Sequence, residues 1–212
     1  LILKWFDWLI LILYSDKLST DELQFGFQAK SSTNMCSWAV SSVIDYYNKL
    51  DRQVYACAMD LSKAFDLVSW EKLFPELLSR GVSPLALRCL MFIYTKQTCN
   101  VKWNNSTSSD FNVFNGVRQG SMSSPSLFCV YIDNVINKLR KLNIGCQIND
   151  AYYGIFVYAD DIVLLSPSRS GLQDMVKVCE QFAYDLKLKF SKNVDVIKCK
   201  TKCIVFSKTT VR

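Results

Sequence analysis

The sequence predicts an α+β domain: a small antiparallel sheet with helices packed on one face. Three observations carry that expectation. Apolar residues recur at helical spacing in several stretches, most regularly Leu127, Phe128, Tyr131, Ile132, Val135, Ile136 and Leu139. Short runs of strong β formers lie between those stretches, at residues 53–59 and on both sides of Asp160-Asp161. Half of the 212 residues are hydrophobic and 13% are aromatic, enough for a sizeable core and against disorder.

Taken in order, residues 1–18 predict a helix that is mostly apolar and therefore buried on more than one side. Lys4 and Asp7 interrupt its apolar run, which is too short to span a bilayer and lacks a signal-peptide cleavage site. The chain begins with Leu1 rather than Met, so we expect it to be part of a longer one. One of Ser31, Ser32 or Thr33 caps a second helix reaching about Leu50. Residues 53–59 form a buried strand that delivers Asp60 at its carboxyl end. Ser69 caps a helix starting near Trp70; Pro75 within it predicts a kink or restart, and Gly81 ends it.

Ser83-Pro84 opens a helix to about Lys96, and Ser124-Pro125 opens another to about Leu142. Between them, residues 98–103 and 111–114 predict a hairpin around a polar loop. A second hairpin carries Tyr158-Ala159-Asp160-Asp161 at its tip. An amphipathic helix follows from Leu172 to about Leu186, then a Lys-rich tail with a last strand at 203–206.

The chain contains no histidine, which excludes Ser-His-Asp and Cys-His catalysis and His-ligated zinc. The nine cysteines form no Cys-x-x-Cys pair and mostly sit in apolar runs, as buried thiols of a reducing, intracellular compartment do; nucleus and cytoplasm are not distinguished. Cys199 and Cys203 give only a weak metal signal. The net charge of +6 is compatible with a polyanionic partner without requiring one.

Two adjacent carboxylates at a hairpin tip repel each other and cost desolvation, which a divalent cation offsets. By itself the tetrapeptide reads equally well as a solvent-exposed turn, where Asp is common. Neighbouring strands would bring Asp60 to Asp160 and Asp161. Three carboxylates supply hard oxygen ligands for two Mg²⁺ ions, with Mn²⁺ as a substitute, and the resulting chemistry needs no histidine. If the turn centres on Ala159-Asp160 in type II′ geometry, Ala159 must adopt a positive φ.

Residues 58–66, Ala-Met-Asp-Leu-Ser-Lys-Ala-Phe-Asp, resemble the first palm motif of reverse transcriptases of non-long-terminal-repeat (LINE-type) retrotransposons. Asn115-Gly116-Val117-Arg118-Gln119-Gly120-Ser121, with Ser124-Pro125-Ser126-Leu127-Phe128 after it, is similar to the second, and Phe156-Val157-Tyr158-Ala159-Asp160-Asp161 to the third. Gln24-Phe25-Gly26-Phe27 with Ser32-Thr33 resembles a segment that precedes the palm. The motifs occur in the family's order, and the resemblance covers roughly the whole chain.

The resemblance implies a right-hand polymerase, with residues 1–52 as fingers-side helices and 53–212 as palm; the upstream fingers strand, thumb and endonuclease are not matched. The implied activity is RNA-directed DNA polymerase in the full-length parent, with RNA template, DNA primer, dNTPs and the rest of the polyprotein as partners, and no membrane. Asp60, Asp160 and Asp161 would be metal ligands and catalytic. Leu61, Ser62, Lys63 and Ala64 would offer backbone N–H groups to the triphosphate. Phe65 would lie under the incoming sugar and exclude a 2′-hydroxyl, although a core aromatic is the alternative. Gln119 and Gly120 would border nucleotide and template, glycine permitting close approach. Arg118 would contact phosphate or serve the structure, and Asp66 is read as a turn or cap residue.

Three features depart from the family pattern. Gln28 stands where a basic residue is usual, with Lys30 close by. Lys200 best matches the lysine that protonates pyrophosphate, but residues 193–198 look inserted before it. The fingers strand that grips the triphosphate is unmatched. A catalytically inactive retroelement remnant that at most binds nucleic acid is therefore the second reading. An RNA-copying RNA polymerase shares the acidic geometry, and Phe65 argues against it.

Overall fold

The computed structural model describes residues 2–191 and 201–208. In chain order the elements are α1 (Ile2–Leu13), α2 (Thr33–Lys49), β1 (Val54–Asp60), α3 (Trp70–Ser79) and α4 (Pro84–Thr95). Four two-residue strands follow: β2 (Thr98–Cys99), β3 (Lys102–Trp103), β4 (Ser106–Thr107) and β5 (Phe111–Asn112). Then come α5 (Ser124–Ile132), α6 (Asn134–Leu142), β6 (Gln147–Ile148), β7 (Ala151–Tyr152), β8 (Ile155–Tyr158), β9 (Asp161–Ser166), α7 (Arg169–Asp185) and β10 (Lys202–Phe206). The elements divide into two compact units, Leu1–Ser19 with Phe65–Tyr131, and Thr20–Ala64 with Ile132–Arg212.

The second unit holds the principal sheet, four antiparallel strands in the order β10-β1-β9-β8. Helices α2 and α7 pack on it, so the unit is α+β as the sequence predicts. Ser32 caps α2 by accepting the Met35 N–H, worth about 1 kcal/mol. Ser168 caps α7 through the Gly171 N–H and starts that helix a turn earlier than its apolar periodicity suggests. The core fills with Val54, Cys57, Ile155, Phe156, Val157, Leu164, Met175 and Cys179, all essentially inaccessible.

In the first unit, Ser83 accepts the Ala86 N–H and Pro84 occupies the first turn of α4, as expected. Helix α3 continues through Pro75 rather than restarting there, with Leu73, Phe74 and Leu77 buried around it. Gly81 follows the helix at φ +91°, which favours glycine. The expected hairpin becomes two nested pairs, β2 with β5 outside and β3 with β4 inside.

Two further expectations are corrected. Helix α1 is shorter than residues 1–18 and is not buried on several sides: within it only Asp7 and Ile10 are buried, while Trp5 and Leu13 are more than 60% exposed. Its apolar residues run all round the helix, and one side alone is covered. The helix expected from Pro125 to Leu142 is two, parted at Asp133, whose carboxylate accepts the Asp21 N–H at 2.8 Å. Among the described residues no helix is long and apolar enough to cross a membrane. The eight described cysteines are free thiols; Cys57, Cys129, Cys146 and Cys179 are buried, whereas Cys89 and Cys203 are exposed.

Candidate active site

In the second unit, β1 and β9 run antiparallel with Asp60 opposite Asp161, Met59 opposite Ile162 and Ala58 opposite Val163. Alternation along the strands puts Asp60, Asp161, Ala58 and Val163 on one face. That face is open at this end: Asp161 and Ala58 are exposed, and Asp60 and Val163 half-buried. Met59 and Ile162, on the opposite face, are buried. The sheet thus presents two carboxylates to solvent on an apolar backing.

Asp160 lies between Tyr158 and Asp161, which are register partners, so Ala159-Asp160 forms a two-residue turn. Ala159 takes φ +54°, and Asp160 does not share a positive φ. That combination fits the type II′ expectation and places strain on a residue with a Cβ. The Asp160 carbonyl accepts the Leu61 N–H at 3.3 Å, tying the turn to the residue after Asp60. Asp60 itself is braced by Ser191, whose hydroxyl donates to its carboxylate and whose N–H donates to its carbonyl at 2.8 Å.

The three aspartates therefore occupy one end of one sheet. Among the described residues, however, no three or more Asp, Glu, Cys or His side chains are gathered closely enough to hold a metal ion. The donors fit a hard divalent cation in type and in placement on an open face, without forming a closed ligand set. One oxygen of the Asp60 carboxylate accepts the Ser191 hydroxyl.

Among Leu61, Ser62, Lys63 and Ala64, the first two N–H groups are committed: Leu61 to Asp160, and Ser62 to the Lys189 carbonyl at 2.8 Å. Both therefore donate within the protein in this structure. Lys63 is exposed at φ +49°. Lys200 and the 193–198 segment lie outside the described residues, as does Cys199.

The first unit contains Phe65 and the Gly-Val-Arg-Gln-Gly segment, and it joins them directly. The Val117 N–H donates to the Phe65 carbonyl and the Gly116 N–H to the Val68 carbonyl, both at 2.8 Å. The Trp70 indole N–H donates to the Gly116 carbonyl at 2.7 Å. Gly116 sits at φ +88°, and a Cβ there would meet the Asp66 carbonyl oxygen at 3.0 Å. Gly120, at φ +80°, has open space where a Cβ would project. Gln119 is exposed and donates from its side-chain amide to the Asp66 carboxylate at 3.1 Å. Asp66 therefore orients Gln119, a role its reading as a turn residue missed. Arg118 is half-buried. Phe65 is half-buried and stacked on the inaccessible Phe128 ring, with centroids 4.7 Å apart, so one face has a core partner while the residue stays partly accessible.

Sequence reasoning missed three further residues. Buried Asp7 accepts the Ser121 and Ser123 hydroxyls at 2.7 and 2.8 Å, fixing the segment after Gly120. Ser191 carried no signal, lying far along the chain from Asp60. Gln24 stood within a quoted segment but had no role; its side-chain carbonyl accepts the Ala159 N–H at 3.1 Å.

A family model described as reverse transcriptase (RNA-dependent DNA polymerase) matches residues 10–206. The chain is 26% identical over 177 residues to the retrovirus-related Pol polyprotein from type-2 retrotransposable element R2DM of Drosophila melanogaster, covering 84% of this chain and 17% of that protein. It is 33% identical over 121 residues to the corresponding polyprotein of type-1 retrotransposable element R2 of Nasonia vitripennis, covering 57% and 12%. The chain thus spans less than a fifth of either relative. Among solved structures, a Candida albicans telomerase in complex with a TWJ fragment of telomeric RNA aligns over 100% of this chain and 34% of its own, with TM-score 0.65 at 10% identity. A Candida tropicalis telomerase with the same kind of RNA fragment aligns over 94% and 33%, with TM-score 0.67 at 12% identity. At such identities the likeness is one of fold.

Proposed function

Because the chain belongs to the reverse transcriptase (RNA-dependent DNA polymerase) family, we propose that it is the polymerising palm of a non-long-terminal-repeat retrotransposon protein, joining dNTPs to a primer 3′-hydroxyl on an RNA template. The observation that carries this reading is the placement of Asp60, Asp160 and Asp161 at one open end of the β1–β9 pair. In the reaction the 3′-oxygen bonds to the α-phosphorus of the dNTP, the α–β phosphoanhydride bond breaks, and pyrophosphate leaves.

Asp60, Asp160 and Asp161 would hold divalent cations, Mg²⁺ with Mn²⁺ as substitute. When bound, such cations lower the pKa of a coordinated hydroxyl and stabilise phosphate charge. The chain's own residues do the positioning. Asp60 is held from both its carboxylate and its carbonyl by Ser191. Asp160 and Asp161 are presented by a turn in which Ala159 sits at φ +54°. Lys63 and Ala64 offer N–H groups to the triphosphate. Phe65 sets its ring against a 2′-hydroxyl, its stacking on Phe128 keeping the ring from yielding. Gln119, aligned by Asp66, borders the nucleotide beside Gly120, where no Cβ obstructs close approach. Arg118 contacts phosphate, and Lys200 protonates the leaving pyrophosphate.

The test is primer extension by the full-length protein on an RNA template with dNTPs and Mg²⁺. Wild type extends, and Asp160→Asn does not. Undiminished extension by Asp160→Asn rejects the assignment. RNA binding without extension by wild type supports the non-polymerising remnant instead.

A further inference from the structure

Residues Asp21–Gly26 form a strap along the outer edge of the principal sheet. At its start, the Asp21 carboxylate takes a two-pronged ion pair from Arg140 of α6, at 2.6 and 2.9 Å. The Asp21 N–H donates to Asp133. The strap then pairs with β8 through one residue: the Val157 N–H donates to the Leu23 carbonyl at 2.8 Å, and the Phe25 N–H donates to the Val157 carbonyl at 2.7 Å. This satisfies backbone groups on a strand that is otherwise an edge.

At its far end the strap reaches the acidic turn. Gln24 is 1% exposed, and its side-chain carbonyl oxygen accepts two N–H groups, Gly26 at 2.9 Å and Ala159 at 3.1 Å. Two converging donors fix the amide's orientation, because the flipped NH₂ would oppose them. Among the described residues the Gln24 NH₂ has no hydrogen-bond partner. A buried polar group left half-satisfied is a net cost, so an apolar side chain would serve stability alone better. The accepting oxygen accounts for a polar residue there.

Gly26 completes the contact. Its φ is not positive, so conformation does not require glycine; proximity does. A Cβ at Gly26 would collide with the Ala159 nitrogen and lie 3.0 Å from both the Ala159 Cα and the Tyr158 carbonyl carbon. The strap backbone therefore lies directly against the residue that carries the positive φ.

We propose that Gln24 and Gly26 are positioning residues for the polymerase turn: the strap, anchored by Arg140, holds Ala159 in its strained conformation so that Asp160 and Asp161 face Asp60. Neither residue touches substrate; both act through Ala159. The inference rests on the polymerase reading above, and the experiment separates the two.

Gln24→Met, Ala159→Gly and the double variant are compared with wild type in the full-length protein, with Asp60→Asn as the control. Two quantities are read: the single-turnover incorporation rate with its dNTP Kd, and hydrogen exchange of the Ala159 amide in the absence of nucleotide and metal. Gln24→Met is expected to lower the incorporation rate about 10–100-fold, the range a small misplacement of reacting groups produces, with dNTP Kd within about twofold. Exchange should rise at residues 157–161 and stay unchanged in α2 and α7. Glycine adopts φ +54° freely, so Ala159→Gly placed in Gln24→Met should recover at least half of the lost rate on a logarithmic scale.

An unchanged rate and an unchanged Ala159 amide in Gln24→Met overturn the proposal, as does exchange that rises evenly through the sheet. Effects of the two substitutions that simply add also overturn it. If Asp60→Asn extends as well as wild type, the polymerase reading fails. The amide exchange of Ala159 then still decides whether the strap holds the turn.

Discussion

Asp60 on β1 and Asp161 on β9 are direct cross-strand partners on the open face of the sheet. Like charges directly opposite in an antiparallel pair destabilise it, so this pairing opposes stability unless a cation joins it. Mg²⁺ should therefore raise the melting temperature of the protein relative to EDTA. At tenfold excess over its Kd the linkage amounts to about 1.4 kcal/mol, roughly 3–6 °C for a chain of this size. Asp161→Asn should abolish most of the shift. Equal shifts in both proteins would place the cation elsewhere.

Phe65 combines a core contact with partial exposure. Phe65→Ala should raise the ratio of NTP to dNTP incorporation by about 10–100-fold, the scale of a lost steric contact in a binding pocket. It should also cost about 1–3 kcal/mol of stability through the lost Phe128 stack. Competition between labelled dNTP and NTP on one template measures the first, and chemical denaturation the second. Lower stability with an unchanged ratio would make Phe65 a core aromatic only.

Gly116 and Gly120 share a positive φ and differ in what surrounds them. Gly116→Ala adds backbone strain to a near-collision with the Asp66 carbonyl, and should lower stability by about 2–3 kcal/mol. Gly120→Ala pays the conformational cost alone, about 1 kcal/mol. Thermal melts of the two variants check the order. If Gly120 borders the template, its variant should nonetheless lose the greater share of polymerisation relative to its loss of stability.

Burial pushes the Cys57, Cys146 and Cys179 thiols up to about 12, with Cys203 adding to the effect at Cys57. A raised pKa keeps the thiol protonated and unreactive through neutral and mildly alkaline pH. Maleimide at pH 8 should modify Cys89 and Cys203 within minutes. Cys57, Cys129, Cys146 and Cys179 should react only after unfolding. Mass spectrometry of proteolytic peptides reads this out, and rapid labelling of Cys179 in folded protein would contradict the core described.

Much of the site was legible in the sequence because its signals are local. Asp60 ends a buried strand, Asp160-Asp161 follow an apolar run, and the turn between two paired strands demands a positive φ at Ala159. Caps at Ser32 and Ser83 were legible for the same reason. The missed features depend on long-range packing: Gln24 on Ala159, Ser191 on Asp60, Gln119 on Asp66 and Asp7 on two serines. None has a periodicity or a neighbouring residue that announces its partner. Helix α1 misled because apolar composition predicts burial, while the surface available to cover a helix is set by the rest of the fold. At Pro75 the helix does not restart, and its buried neighbours Leu73, Phe74 and Leu77 lie on either side of that position.

The most direct test of the central claim is single-turnover dNTP incorporation on an RNA template by full-length wild type and Asp60→Asn at saturating Mg²⁺. Asp60→Asn keeps the side chain's size and removes its charge. The rate should fall on the order of 10³-fold or more, equivalent to several kcal/mol of lost charge stabilisation, with the circular dichroism spectrum essentially unchanged. Incorporation by Asp60→Asn at the wild-type rate would contradict it.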